Sequence, residues 1–185
     1  MFTRSTRGAE MVLGSASIEL TRVPLNSEDY FFHSGEVTLR GRLVVPATGE
    51  FDGVVILVHG SESFSAVDHH YLPYLFAANG LACFVYDKRG TGGSGGSVPE
   101  FSEDRSAPLT LGADAAAAAD FATTIPALAG QAILMAGFSQ GGWVAPLATR
   151  FTDEIDGMLL AYGPAVSLYE EDRWGYAYWL RQENY

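Results

Sequence analysis

One serine in this chain has neighbours that could make it a nucleophile. Residues Gly137-Phe138-Ser139-Gln140-Gly141-Gly142 form a G-x-S-x-G pattern between the apolar run Ala132–Ala136 and a helical stretch that begins near Trp143. A serine on a sharp strand-to-helix turn stands proud of a sheet, at the C-terminal end of the strand, with its hydroxyl open to a substrate. Gly137 and Gly141 carry no side chains, so strand and helix can approach closely. The helix that follows would aim its first N–H groups at the same place and favour negative charge developing there. The chemistry such a turn supports is nucleophilic attack by the serine oxygen. The pattern alone is weak in a chain this rich in glycine and serine. The buried strand before it, the helix after it and a second motif upstream make it specific.

That second motif is His59-Gly60-Ser61-Glu62, directly after the apolar run Val54–Val58. Attack on a carbonyl creates an oxyanion that needs two fixed N–H donors. One donor would be the N–H of Gln140, the residue after the nucleophile. The other would come from this upstream loop, at Ser61, with Glu62 beside it. An ordinary strand-ending turn is the competing reading of the loop. Asp87-Lys88-Arg89-Gly90 follows another apolar run and reads as a structural ion pair plus a glycine turn. The glycine-rich stretch after it is not a phosphate-binding loop, which would need lysine where Gly96 stands.

Elements that could position these residues are legible along the chain. Residues 1–15 read as a loose lead-in, polar and aperiodic. Residues 16–23 and Val37–Val45 alternate as half-exposed strands do, Tyr30–His33 adds a short strand, and Asn26–Asp29 is turn-like. These predict antiparallel strands at the start of a sheet. Val54–Val58, Leu81–Tyr86, Ala132–Ala136 and Gly157–Ala161 are short and uniformly apolar, the habit of parallel strands buried on both faces. Helical stretches at Asp68–Asn79, Leu109–Ile125 and Gln140–Arg150 separate them. The alternation predicts a single α/β domain over residues 1–185: a mostly parallel sheet with antiparallel N-terminal strands and helices on both faces. His69 and His70 would open the first helix as surface residues. The five alanines between Asp114 and Asp120 predict a closely packed helix.

The chain resembles the α/β-hydrolase superfamily, in particular its bacterial esterase-like and S33-peptidase-like members. The similar segments are His59–Glu62, Tyr86-Asp87-Lys88-Arg89-Gly90-Thr91-Gly92, Gly137–Pro146 and Gly163-Pro164-Ala165-Val166. The resemblance implies an acyl-enzyme mechanism on an ester, thioester or amide, with a small-molecule acyl substrate and with neither a metal nor an organic cofactor. It also implies that His59 and Gly60 support the site loop.

In this fold the order along the chain is nucleophile, acid, then histidine. The four histidines here, His33, His59, His69 and His70, all precede Ser139. The resemblance therefore leads us to expect about two further strands, carrying acid and base, after Tyr185. Residues 167–185, rich in Trp and Tyr, would begin a lid or helical segment, with Glu170, Glu171 and Asp172 as a solvated helix start. An uncovered sheet edge at Gly157–Ala161 would favour self-association. Two alternatives to a working serine hydrolase follow: an inactive scaffold or binding module, and an enzyme completed in trans.

Composition narrows the classes further. A net charge of -11 and a pI near 4.6 argue against nucleic acid as a partner. No secretory signal and no apolar stretch of spanning length is read, so a cytoplasmic protein without a membrane is the expectation. The single cysteine, Cys83, lies in an apolar run and reads as a small buried hydrophobe.

Overall fold

The computed structural model describes residues 2–4, 8–13, 15–100, 106–163 and 168–182. The main sheet has six strands: β4 (Leu25–Ser34), β5 (Val37–Pro46), β6 (Val54–Val58), β7 (Ala82–Tyr86), β8 (Ile133–Phe138) and β9 (Gly157–Ala161). Their order across the sheet is β4-β5-β7-β6-β8-β9. The first two are antiparallel to their neighbours, and β7, β6, β8 and β9 run parallel. This is the mostly parallel sheet that the sequence predicts.

The topology follows from hydrophobic patterning and crossover handedness. Strand β6 leads through α1 (Ala66–His69) and α2 (Leu72–Ala78) to β7 on one side. The chain then returns through α3 (Ser106–Thr124) to β8 on the other side of β6, and through α4 (Gly141–Ala148) to β9. Right-handed crossovers running in opposite directions put their helices on opposite faces. Alternate residues of β6 divide accordingly. Val54, Ile56 and Val58 join the core with α3 and α4, while Val55 and Leu57 join the one with Ala66, Leu72 and Phe76. The alanines of α3 let that helix lie close on the sheet: Ala115, Ala116, Ala118, Ala119 and Ala122 are all buried.

Several expectations are corrected. Within residues 1–15, read as a loose lead-in, the described residues 2–4 and 8–13 are strands. Strands β1 (Phe2–Arg4) and β2 (Gly8–Leu13) pair antiparallel with β3 (Ala16–Thr21) in a separate three-stranded sheet. Met11 lies opposite both Phe2 and Ile18, an alternation that Val12 interrupts in the sequence. Asn26–Asp29 belongs to β4 and is not a turn. Its polar character is accommodated because Asp29 accepts hydrogen bonds from Arg40 and Arg42 on β5. The single helix expected over Asp68–Asn79 is two. Pro73 falls in the first turn of α2, where its missing N–H costs nothing, and the chain bends before it at His70–Tyr71. His69 and His70 therefore close α1 instead of opening it.

Strand β9 lies at one edge, with Met158, Leu159 and Leu160 exposed. The last helix, α5, spans Leu168–Gln182, with Trp174 and Tyr178 exposed. Among the described residues, no helix is long and apolar enough to cross a membrane.

One buried ion pair fixes the segment after β7 to α3. Asp114 is fully buried and accepts from Arg89 Nε at 2.7 Å and from Nη2 at 2.5 Å. Removing the carboxylate would leave a largely buried guanidinium without its partner, so Asp114→Ala should cost about 3 kcal/mol. Urea denaturation of the two proteins checks this.

Candidate active site

The parallel strands end together, and the segments after β6, β7 and β8 meet at the reversal in strand order. Such reversals are where open α/β sheets place their ligands. Ser139 sits at the corner between β8 and α4, solvent-exposed, with φ of 52°. For a residue other than glycine this left-handed conformation costs about 1–2 kcal/mol, so the surroundings must hold it. They do so by close backbone approach. A Cβ on Gly141 would lie 1.9 Å from the Val58 carbonyl oxygen, and one on Gly137 would lie 2.2 Å from the Gly141 oxygen. Ser139 N–H donates to the Ala161 oxygen at 2.9 Å, which ties the corner to β9. A side chain at either of these glycines is thus excluded by backbone contact.

The loop after β6 arrives beside this corner, since the same Gly141 Cβ would lie 2.9 Å from the His59 oxygen. Among the described residues, the N–H groups of Gly60, Ser61 and Gln140 donate to no protein group. His59 is fully buried. Its Nδ1 lies 3.2 Å from Glu62 Oε2, and its Nε2 has no partner. Glu62 folds back over Gly60, where a Cβ would meet its carboxylate at 2.9 Å. Burial, and then the nearby Lys88 charge, push His59 down from 6.5 to about 4, against the opposing pull of Glu62. The ring is therefore neutral at neutral pH.

Lys88 is the residue whose place the sequence did not disclose. The run Asp87–Gly90 reads as an ion pair and a turn, and Arg89 fits that reading through Asp114. Asp87 is fully buried and accepts from Ser65 Oγ, Val67 N–H and Gly93 N–H, which sets the start of α1 and the following loop. Lys88, only 5% exposed, points between the two site loops. Its Nζ donates to the His59 oxygen at 2.8 Å, the Gly60 oxygen at 2.7 Å and Gln140 Oε1 at 2.6 Å. Burial lowers its pKa from 10.5 to about 7. Three oxygen acceptors around three ammonium protons favour the charged form. A lysine one residue past a buried strand carries no mark in the sequence of this three-way contact. A second missed feature is Tyr162, 85% exposed with φ of 62°, immediately after the Ala161 that holds Ser139.

Of the remaining histidines, His70 is half-buried and not on the surface as expected, with a buried Nδ1 that has no hydrogen-bond partner, and it lies near enough to Glu62 and His59 to act on their charge. His33 Nδ1 is 3.3 Å from Thr38 Oγ1 on the β4–β5 hairpin, and His69 and His70 end α1. Among the described residues, no histidine hydrogen-bonds Ser139. Glu170, Glu171 and Asp172 fall in α5. Cys83 is buried, and burial raises its thiol well above the ordinary value. Among the described residues, no group of His, Cys, Asp and Glu is arranged to hold a metal ion.

The family model described as serine aminopeptidase, S33, matches residues 49–182, which is more than half of the chain. The chain belongs to this S33 serine aminopeptidase family, within the α/β-hydrolases. Solved structures of the same fold include an esterase of Pyrococcus furiosus, 22% identical, with TM-score 0.65 over 85% of this chain and 56% of that one. A cold-adapted esterase from an Arctic intertidal metagenomic library is 21% identical, with TM-score 0.62 over 82% of this chain and 66% of that one. The acylaminoacyl peptidase of Pyrococcus horikoshii is 19% identical, with TM-score 0.56 over 84% of this chain and 27% of that one. No curated protein sequence matches significantly. The chain spans between about half and two-thirds of the length of the two esterases. The family match, residues 49–182, contains all three loops that meet at the Ser139 corner.

Buried, neutral His59 makes stability depend on pH. Between 6.5 and about 4 the unfolded chain binds a proton at this residue that the folded protein refuses. Its influence is absent above the upper value and destabilises progressively below it, by about 3 kcal/mol near the lower one. Asp29 and Asp68, whose carboxyls their arginine partners hold below the ordinary range, add to the loss at lower pH still. Urea denaturation at several points between about pH 7 and about pH 4 should show that His59→Gln flattens this slope.

Proposed function

We propose that the protein is a serine acyl hydrolase in which Ser139 is the nucleophile. Its oxygen attacks the carbonyl of an ester, thioester or amide, and the N–H groups of Gln140 and Ser61 receive the oxyanion. The intermediate collapses to an acyl-enzyme as the alcohol, thiol or amine leaves with a proton, and water then releases the acid and restores the serine. The observation that carries this reading is the exposed serine held at φ of 52° on a corner whose neighbouring N–H groups are free. Strain that its surroundings enforce is a common property of functional sites. Membership of a serine aminopeptidase family supports the reaction class, as do relatives named as esterases and an acylaminoacyl peptidase. The general base is assigned to none of the four histidines. That same observation favours a second reading, a binding scaffold without turnover.

One experiment separates the two: intact-mass measurement of the natively expressed protein after exposure to a fluorophosphonate. The proposal expects a single adduct, mapped to Ser139, and none on Ser139→Ala or Ser139→Gly. The glycine variant should also be about 1 kcal/mol more stable than the alanine variant, because it occupies positive φ without strain. Labelling of Ser139→Ala at the rate of the unaltered protein would overturn the assignment. A folded, unlabelled wild type would favour the scaffold.

A further inference from the structure

We propose that Lys88 is a positioning residue for the two oxyanion donors, bracing the His59–Gly60 loop and the Gln140 side chain through one ammonium group. The inference rests on the acyl-transfer reading of the site given above.

The argument starts from the geometry of the peptide unit. A trans peptide is planar, and its C=O and N–H point in opposite directions. Lys88 Nζ holds the His59 oxygen at 2.8 Å and the Gly60 oxygen at 2.7 Å. The N–H partners in those two peptide planes belong to Gly60 and Ser61. Drawing two consecutive carbonyls toward one ammonium turns the two following N–H groups to the other side of the loop. Successive N–H groups presented on one side form the concavities that bind anions. Among the described residues these two groups have no acceptor, which leaves them available to a substrate oxygen.

The third bond reaches the other donor. Gln140 Oε1 accepts from the same Nζ at 2.6 Å, so the residue whose N–H is the second donor is tied to the loop that carries the first. The Gly60–Ser61 loop and the elbow come from strands β6 and β8, which are otherwise joined here by backbone packing of Gly141 on Val58 and His59. Lys88, from the end of β7, closes the triangle. Its positive charge lies behind both donors, where it reinforces the potential that they present to developing negative charge. An apolar side chain of the same length would fill the space without burying a charge. It would not orient the carbonyls.

The test is the rate of fluorophosphonate labelling, resolved into the affinity of the encounter and the maximal rate of modification. A residue that merely supports the fold changes the amount of folded protein and leaves the rate of the folded fraction untouched. A residue that aims the donors changes the maximal rate. Lys88→Met should slow the maximal rate about tenfold to a hundredfold, with encounter affinity unchanged within about twofold. An unchanged maximal rate in folded Lys88→Met overturns the proposal while leaving Ser139 as the nucleophile. A wild-type protein that is folded yet unlabelled at Ser139 overturns the acyl-transfer reading, and this inference with it. Should Lys88→Met fail to fold, Gln140→Met decides, since it keeps the ammonium and the loop and cuts only the tie between them. That variant should be slowed about threefold to tenfold, and labelling at the wild-type rate overturns the proposal.

Discussion

A serine held at positive φ depends on contacts that leave its backbone no easier conformation. In this protein those contacts are between backbones. The first turn of α4 lies against the end of β6 so closely that Gly141 has no room for a methyl group beside the Val58 oxygen. The Ser139 N–H is held by β9 through Ala161, and Gly142 packs on Gly163, where a Cβ would lie 2.8 Å from its Cα. Three parallel strands therefore fix one residue. Strain of this kind is retained only where neighbouring structure over-determines it, and the surrounding sheet supplies that excess. Strands β6, β7 and β8 are buried almost throughout, while the exposed apolar residues of the sheet lie at Leu134 and on the edge strands, at Phe31 of β4 and at Met158, Leu159 and Leu160 of β9.

The order of the strands explains why chemistry-bearing residues from distant parts of the sequence meet. Because β6 is flanked by β7 on one side and β8 on the other, the segments that leave these three strands emerge side by side. One supplies His59 to Glu62, the next Asp87 to Arg89 and the third Ser139 and Gln140. The first two are anchored away from the solvent by buried carboxylates: Asp87 collects N–H and hydroxyl donors from the start of α1, and Asp114 binds Arg89. Both acids are fully buried and hydrogen-bonded, the condition under which a charge in a protein interior is tolerated.

What the sequence made legible was what rests on local pattern. Four uniformly apolar runs became β6, β7, β8 and β9, within a residue or two at their ends, and the alanine-rich run became the close-packed α3. The G-x-S-x-G spacing located the corner because only glycine satisfies the contacts at 137 and 141. Elements decided by partners were not legible. The polar stretch Asn26–Asp29 looks like a turn until Arg40 and Arg42 are seen across the strand pair, and the strands before residue 15 require β3 as a template. The break between α1 and α2 was readable in principle from Pro73. The role of Lys88 was not, because its three acceptors lie 28, 29 and 52 residues away and two of them are backbone oxygens.

Two basic side chains in one buried site end up in different states, and the difference comes from what surrounds each. His59 has one partner, Glu62, and an Nε2 that meets no acceptor, so desolvation prevails and the ring stays neutral. Lys88 meets three oxygens that favour its charged form, while burial lowers its pKa to about 7, so it carries its charge below that value. The two choices are linked, because the Lys88 charge is among the causes that keep His59 unprotonated. Environments that separate the states of neighbouring titratable groups are how a site concentrates charge where it is useful. Below about pH 7 the Lys88 charge is held behind the N–H groups of Ser61 and Gln140, and between that value and about 4 the His59 beneath the same loop adds packing without a charge of its own.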